Sequence, residues 1–531
     1  MRAAVGSVAS AGAVRPRAGP GDRLLFKSGD VWRGMLWPKG AGEPAHPIRI
    51  GTYGGEARPV IGGDGYQASI LLFNEDDYEI ADLELTNQAS YLDVGGNAKS
   101  EPGFGGAVND FGTGRNVRFG LKVVASDRSL SGFRVSNLRV QGIFPSPTNS
   151  AYTHQGYGIK FESQSDLATN AMRTIADVDI ESITVREAGH YGVWIKPLGL
   201  TGNDAHKHDD FTLRNSTFLN TGGAGFVSVK ASNVIVEHNV FDGSGSSIDP
   251  RMWARGSGLW PFDSRGVVIQ HSVVRNARGP LDSYGVHIDY NNEDVVVQYN
   301  YSENNEGGFV QILGANENCG YRFNISVSDG SRVAGVDGAR QNGRIFNVSN
   351  FCNVDAGCPS VGNLIYNNTV FVPNTSSPEV FFKAGSGETR FQNNLIVVEE
   401  GSAVLATHMA ASGVSYDFQD NLFYPQGLFS LEGPLVNNAH YFAPQLRMPG
   451  AREPAMYKLL EDSPAKSIGT ARESGEDYFG FPVREGAPLN LGAYDGAETF
   501  GGLAVPALPL PFFLLARVGF FVSRLRWAHG R

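Results

Sequence analysis

The stretch Val297-Gln-Tyr-Asn300-Tyr-Ser302 sets an asparagine between short apolar and aromatic runs, and similar stretches recur between about residues 210 and 425. The other copies centre on Asn215, Asn239, Asn324, Asn347, Asn368, Asn394 and Asn421, with intact neighbours 21 to 27 residues apart. A strand-like repeat of this length, with no helical segment between copies, is typical of one rung of a β-solenoid. Equivalent side chains would stack about 4.8 Å apart, so each amide can hydrogen-bond to the rungs above and below. The sequence therefore predicts an all-β, single-stranded solenoid with an asparagine ladder.

The composition agrees with this fold and limits the classes of binding partner to expect. Glycine accounts for 67 of the 531 residues, nearly twice its average share of about 7%, as tight corners between short strands require. Amphipathic segments of helical period are almost absent, which disfavours an α/β enzyme. The net charge is −10 and no basic stripe is visible, so we do not expect nucleic acid as a partner.

The start of the repeat region carries a family resemblance. Residues 18–32 contain Gly19-Pro-Gly-Asp22 and Gly29-Asp-Val-Trp32, followed by Pro47-Ile-Arg-Ile50 and Pro59-Val-Ile61-Gly. This order resembles the first turns of bacterial right-handed parallel β-helix proteins of the pectate-lyase-like superfamily. The resemblance implies a β-helix over residues 18–433 and an irregular C-terminal cap over 434–497, where the period breaks. Residues 1–17 are expected to be an unstructured leader, and the start codon to be assigned too far downstream.

Residues 498–531 are expected to be a separate tail. Val505-Pro-Ala-Leu-Pro509, an apolar run and a basic end resemble the VPLPA-type C-terminal sorting signal of Gram-negative bacteria, apart from the inserted Ala507 and the interrupting Arg517. The resemblance implies an exported protein, extracellular, periplasmic or on the outer cell surface, with transient membrane anchoring through the tail. A frayed apolar tail is the alternative. We expect a monomer.

One face of the solenoid carries chemically active residues. Six segments align by an opening glycine, at Gly158, Gly192, Gly225, Gly258, Gly285 and Gly308, and the Gly225 and Gly308 segments are shifted by one. Strand alternation then points the following side chains outward: Lys160, Glu162, Trp194, Lys196, Ser228, Lys230, Trp260, Phe262, His287, Asp289 and Gln311. Aromatic rings beside charged groups suit an acidic sugar polymer, and two exposed tryptophans are unusual on a solvated sheet. A mixed polar face with tryptophans buried under a loop is the alternative.

Three functions remain open. In a uronate lyase or epimerase, Lys196 and Lys230 would neutralise the sugar carboxylate, a lysine or His287 would remove the C5 proton, and Tyr284 or His287 would protonate the leaving oxygen. Asp289 belongs to the same catalytic group. The substrate would be bound by Lys160, Glu162, Trp194, Trp260, Glu306 and Gln311.

A glycoside hydrolase would instead pair Asp289 with Asp263, Asp282 or Glu306. The third function is a non-catalytic glycan-binding surface or matrix protein. The lysines favour the lyase. No motif predicts a metal site, although β-helix uronate lyases often bridge carboxylates through Ca²⁺, so the resemblance allows a calcium ion. Cys352 and Cys358 either form a disulfide or are inert thiols.

Overall fold

The chain folds as a right-handed parallel β-helix, which confirms the predicted fold class. The computed structural model describes residues 2–4, 17–64, 66–88, 117–145, 155–164, 169, 171–200, 202–407, 416–430 and 439–496. Each turn of the coil contributes one strand to each of three faces, here called sheets I, II and III. All strand pairs within these sheets are parallel, and most keep their register from rung to rung. The register shifts within three pairs, at Val140/Ile143, Arg344/Phe346 and Ser360/Asn363.

The strands of sheet I are Arg2–Ala4, Arg23–Lys27, Ile48–Tyr53, Tyr78–Ala81, Leu130–Ser136, Ile175–Glu181, His208–Arg214, Ala231–Glu237, Arg265–Gln270, Glu293–Gln298, Gly320–Arg322, Ser360–Tyr366, Gly387–Gln392 and Tyr416–Gln419. Those of sheet II are Val31–Arg33, Val60–Gly62, Glu84–Gln88, Arg139–Phe144, Thr184–Ala188, Thr217–Leu219, Val240–Asp242, Val273–Arg275, Tyr301–Glu303, Ile325–Val327, Thr369–Val372, Leu395–Val398 and Leu422–Tyr424.

Sheet III has two parts. The first comprises Ala68–Phe73, Val117–Ala125, Gln155–Ser163, Val193–Lys196, Phe226–Val229 and Leu259–Phe262. The second comprises Gly308–Ile312, Arg344–Val348, Glu379–Phe382, Val404–Thr407 and Phe429–Ser430. Residues 284–288 join the two parts through single bridges to Leu259, Gly308 and Ile312. The short 3₁₀ helices are Asp204–His206, Gln426–Leu428 and Pro454–Tyr457.

Glycine opens the strands of sheet III because the backbone there lies against the core. A Cβ on Gly192 would lie 2.6 Å from Cδ1 of Phe218, and one on Gly158 would lie 2.8 Å from Cγ1 of Val185. Both distances are far shorter than a van der Waals contact. The aligned glycines are therefore required by close packing between sheets II and III.

The asparagine ladder runs along the corner between sheets I and II. Asn300 N–H donates to Asn324 Oδ1 at 2.9 Å, and Asn324 N–H donates to Asn368 Oδ1 at 3.1 Å. The members of this corner ladder are Ser216, Asn239, Ser272, Asn300, Asn324, Asn368, Asn394 and Asn421. The predicted ladder is thus confirmed for six of its eight asparagines.

Two copies were placed wrongly. Asn215 is exposed in the left-handed region at φ 51°, and its neighbour Ser216 occupies the ladder position. Asn347 belongs to a sheet III strand, where its amide donates to the Tyr284 hydroxyl at 3.0 Å. Both errors arise because an asparagine within an apolar run looks the same at a corner and inside a strand.

A second, shorter ladder runs along the corner between sheets II and III, where the Ala277 N–H donates to Asn305 Oδ1 at 2.9 Å. The buried carboxyl of Asp329 continues this ladder. Asp329 Oδ1 accepts the Asn305 backbone N–H at 2.8 Å, and Oδ2 accepts the hydroxyls of Ser302 at 2.6 Å and Ser326 at 2.7 Å. Burial raises the pKa of Asp329 to about 7, although these hydrogen bonds oppose the shift. The folded chain therefore keeps a proton that the unfolded chain loses near pH 4.

We expect Asp329 to make stability fall as the pH rises from about 4 to 7, by at most about 1.4 kcal/mol for each pH unit. Above pH 7 both states are ionised and this contribution becomes constant. Denaturant unfolding across this range should show the fall in the wild type and a shallower dependence in Asp329→Asn, which carries no titrating proton. Equal pH dependence in the two proteins would contradict the assignment.

Residues 439–496 pack along the outer side of sheet II. Leu446, Tyr457, Leu459, Leu491 and Tyr494 are buried together with outward residues of sheet II from Tyr301 to Leu422. A short hairpin pairs Gly475–Glu476 with Pro482–Val483. The segment expected to cap the last rung therefore covers several rungs from the side. The expected sorting tail and most of the expected leader lie outside the described residues. Among the residues described, none of the helices is both long and apolar enough to cross a membrane.

Candidate functional site

The outward row of sheet III follows the predicted alternation over most of its length. Lys160 is in register with Trp194, and Val227 lies between Trp194 and Trp260. The ring of His287 stacks on that of Trp260 with centroids 5.4 Å apart. The predicted shift of the Gly308 strand is confirmed, because Ile312 pairs with the inward Ile288. Lys160, Trp194, Trp260 and His287 therefore lie on one surface, here called the outer row.

The predicted shift of the Gly225 strand is wrong. Phe226 fills the inner position beside Val193, so Val227 rather than Ser228 faces outward. Ser228 is fully buried, and Val227 and Val229 pack outside against the tryptophans. A large aromatic side chain in the first inner position sets the register of this strand.

The outer row forms the floor of an open cleft with a volume of about 810 Å³. One wall contains His190, Tyr191, Trp253, Arg255 and Asp282, and the opposite wall contains Pro197, Leu198, Tyr290, Leu313 and Phe351. Seven of the eleven residues predicted for the site line this cleft, namely Lys160, Glu162, Trp194, Lys196, Trp260, His287 and Asp289.

Lysines surround Trp194 at one end of the cleft. The ammonium groups of Lys160 and Lys196 lie 4.7 Å and 4.5 Å from the Trp194 ring centroid. Contacts of this length are cation–π interactions. The indole therefore holds two cations in place, which differs from the open stacking platform expected from the sequence. We call this arrangement the cation end.

A carboxylate organises the buried part of the cation end. Glu162 pairs with Lys160, and its Oε1 lies 3.9 Å from Lys122 Nζ. Burial alone would raise the pKa of Glu162, but Lys160 and Lys122 lower it to about 2. Burial lowers the pKa of Lys122 to about 8. Burial, Lys160 and Lys230 also lower the pKa of Lys196, which is exposed to the cleft.

His287 and Asp289 lie at the other end, here called the imidazole–carboxylate end. His287 is buried, with Nδ1 2.8 Å from Ser257 Oγ and Nε2 3.8 Å from Asp289 Oδ2. The Tyr290 N–H donates to Asp289 Oδ1 at 2.8 Å. The carboxylate is thus oriented from two sides while it borders the cleft.

An arginine and a tyrosine of the wall complete this end. Arg255 donates from Nε and Nη2 to Asp282 Oδ2 at 2.9 Å and 2.7 Å. Its Nη1 has no hydrogen-bond acceptor among the residues described. Burial raises the pKa of Tyr191, and the charges of Asp282 and Asp289 act in the same direction. The phenol therefore stays protonated at neutral pH.

The other four predicted residues lie elsewhere. Lys230 is in the left-handed region at φ 52° and donates to the Gly199 carbonyl, outside the cleft. Tyr284 is fully buried, with its hydroxyl bound by Asn347. Glu306 accepts the Gly279 N–H at 3.1 Å and pairs with Arg278. Gln311 continues the outer row beyond His287, but it is buried and does not line the cleft.

These placements correct the sequence-based roles. Lys230 was expected to neutralise the substrate carboxylate, but the turn that follows Val229 directs it to the segment 197–207. Tyr284 was expected to protonate the leaving oxygen, yet its hydroxyl lies in the protein interior. Asp263, a suggested partner of Asp289, is also buried and forms an ion pair with Lys207 at 3.0 Å.

Tyr191 and Arg255 were not predicted from the sequence, and Asp282 was named only as a possible hydrolase carboxylate, not as the partner of Arg255. Tyr191 had a usable signal, because Tyr157, Tyr191 and Tyr284 each precede one of the aligned glycines. Arg255 and Asp282 lie in connections between strands that do not repeat from rung to rung, so periodicity gives no information about them.

A disulfide joins Cys352 and Cys358 beside the cleft. The Phe351 carbonyl accepts the Gly314 N–H at 2.8 Å, and the Phe351 ring meets the Tyr290 ring edge-on at 6.0 Å. The third cysteine, Cys319, is buried. Within the described ranges, no group of three or more His, Cys, Asp or Glu side chains is arranged to hold a metal ion.

Comparisons with known proteins agree with the fold. The family model for the right-handed beta helix region matches residues 123–326. No curated protein matches this sequence. Similar solved structures include a GH136 lacto-N-biosidase from Eubacterium ramulus, at 17% identity over 80% of this chain with a TM-score of 0.49. The chain spans only 63% of the length of that protein.

Two lyase structures are also similar to this chain. A mannuronic acid-specific polysaccharide family 6 lyase from human gut microbiota has 12% identity over 80% of this chain and 86% of its own, with a TM-score of 0.44. A PL6 family alginate lyase has 14% identity over 84% of this chain and 55% of its own, with a TM-score of 0.42.

Proposed function

We propose that the protein is an exported enzyme that acts on acidic polysaccharide, cleaving it by β-elimination or changing the configuration at C5. The observation that carries the proposal is the open cleft floored by the outer row. Successive rungs about 4.8 Å apart bring lysines to one end of this floor and the Trp260 and His287 rings to the other. A linear anionic polymer has the same elongated form and the opposite charge.

The imidazole–carboxylate end is the proposed reaction centre. Arg255 Nη1 would bind and neutralise the sugar carboxylate, which makes the C5 proton more acidic. The Asp289–His287 pair would take that proton, and the C5–H electrons would form the C4–C5 double bond as the C4–O bond breaks. Tyr191 would give its phenol proton to the leaving oxygen and recover one from water.

The cation end would bind a different sugar of the same polymer. Trp194 and His287 are three rungs apart, roughly 14 Å at the usual strand spacing. This separation is too long for Lys196 and His287 to act on one ring, as the sequence analysis had assumed. Lys160 and Lys196 therefore give specificity for charge at a neighbouring position of the chain.

Hydrolysis is the second candidate, since three carboxylates line the cleft: Glu162, Asp282 and Asp289. A glycosidase requires one carboxylic acid that keeps its proton. Glu162 does not meet this requirement, because its lysine partners keep it ionised. Asp282 is bound in an ion pair by Arg255. β-Elimination needs no such acid and gives a role to each of Tyr191, Arg255, His287 and Asp289.

Export is supported by the disulfide. Disulfides persist in oxidising compartments and are rare in the cytosol of most organisms. The Cys352–Cys358 bond therefore fits a location outside the cytoplasm. This argument is independent of the C-terminal tail.

The test is to incubate the full-length protein with a panel of polyuronates, including alginate and pectate, and with neutral polysaccharides as controls. A lyase should generate the ultraviolet absorbance of unsaturated uronate together with new reducing ends, on acidic polymers only. An epimerase should exchange the C5 hydrogen with deuterium from solvent without shortening the polymer.

Other outcomes would reject elimination. Reducing ends without absorbance would identify a hydrolase, and binding without any product would identify a glycan-binding protein. Preference for neutral polymers would contradict the role of the cation end.

A further inference from the structure

The hydroxyl of Ser257 has two hydrogen-bond partners, the backbone N–H of Tyr284 and the imidazole of His287. Ser257 is fully buried, and its Oγ accepts the Tyr284 backbone N–H at 3.1 Å. The same oxygen lies 2.8 Å from His287 Nδ1. Within the described part of the chain it has no further hydrogen-bond partner. A hydroxyl has a single hydrogen to donate, so the proton positions can be worked out.

Two arrangements are chemically possible. If His287 carries its proton on Nδ1, it donates to Ser257, and the serine hydrogen is buried without an acceptor. Leaving a buried polar group unpaired destabilises the folded chain. If Ser257 donates to Nδ1, the hydroxyl has one donor and one acceptor, and the imidazole proton lies on Nε2. The second arrangement satisfies both the Ser257 hydroxyl and Nδ1 of His287.

We infer that Ser257 holds His287 as the neutral tautomer protonated on Nε2, so that Asp289 is the base of the reaction and His287 positions it. The tautomer follows from hydrogen-bond geometry alone, whereas the role of Asp289 rests on the proposed function. This inference corrects the sequence-based view of His287 as a proton acceptor.

The rest of the site agrees with this division of roles. Nε2 of His287 lies 3.8 Å from Asp289 Oδ2, longer than a hydrogen bond, so in this tautomer the ring turns its N–H toward the carboxylate. The Trp260 ring covers one face of the imidazole and fixes its plane. An imidazolium would have two donors, and Ser257 would then lose its only acceptor.

The test is nitrogen-15 NMR of the full-length protein with labelled histidine, at a pH where the imidazoles are neutral. Protonated and unprotonated ring nitrogens have well-separated shifts, and the His287 signals are assigned by their loss in His287→Gln. We expect a protonated Nε2 and an unprotonated Nδ1 in the wild type. Ser257→Ala should give a mixture of tautomers, and Ser257→Thr, which keeps the hydroxyl, should restore the wild-type pattern.

Ser228→Ala is the matched control. It makes the same change in the sheet III strand Phe226–Val229, at a fully buried hydroxyl that has no hydrogen-bond partner among the described residues, so the tautomer should not change. A wild-type imidazole protonated on Nδ1 would overturn the inference, whatever the serine variants show. An unchanged pattern in Ser257→Ala would also overturn it. Failure of the proposed function would appear separately, as absence of product from any polyuronate.

Discussion

Asp289→Asn is expected to lower kcat on acidic polysaccharide by roughly 10²–10⁴-fold, the usual contribution of general acid–base catalysis. The amide keeps the size of the side chain and its hydrogen bond from the Tyr290 N–H. It has no lone pair basic enough to accept the C5 proton. Because Lys196 lies three rungs away and Lys160 four, substrate affinity should change little. Initial rates and binding of the intact polymer measure these two effects.

Two further variants separate catalysis from structure. His287→Gln retains an N–H donor near Asp289, so it should lose less activity than Asp289→Asn. Asp294→Asn makes the same chemical change on sheet I, outside the cleft, and should retain the wild-type rate. If Asp289→Asn retained that rate, Asp289 would not be the base. A larger loss in His287→Gln would transfer the proton-acceptor role to the imidazole.

The features that repeat could be predicted from the sequence. Each rung contributes equivalent positions, so glycine, asparagine and alternating apolar residues recur at a readable spacing. This periodicity gave the fold class, the corner ladder and most of the outer row. It also predicts that Lys160, Trp194, Trp260 and His287 share one surface.

The features that break the repeat could not be predicted. Lys230 follows the alternation in the sequence, but a left-handed turn directs it away from the cleft. Trp194 was recognised as an outward residue, yet the two ammonium groups beside it depend on side-chain packing. Arg255 and Asp282 come from connections of irregular length. The chemistry at the reaction centre therefore depends on the parts of the chain with the least sequence signal.

Stability depends on the same repeat, and Asn324 makes as many hydrogen bonds in the ladder as Asn368. Its Nδ2 donates to the carbonyls of Val297 at 2.9 Å and Arg322 at 3.0 Å, and to Asn368 Oδ1 at 2.9 Å. Its Oδ1 accepts the backbone N–H of Asn300. No water can replace these contacts without opening the corner, because Asn324 is fully buried.

Asn324→Ala is therefore expected to lower the free energy of unfolding by roughly 3–5 kcal/mol, since several buried groups lose partners that cost about 1–3 kcal/mol each. Asn324→Ser should lose much less. Serine already serves this ladder at Ser272, whose Oγ accepts the Asn239 N–H at 3.1 Å and donates to the Gln270 carbonyl at 2.9 Å. Asn374→Ala, at an exposed turn, should change stability by less than about 0.5 kcal/mol. Denaturant unfolding measures all three, and equal stability of the alanine and serine variants at position 324 would show that the ladder contributes shape rather than hydrogen bonds.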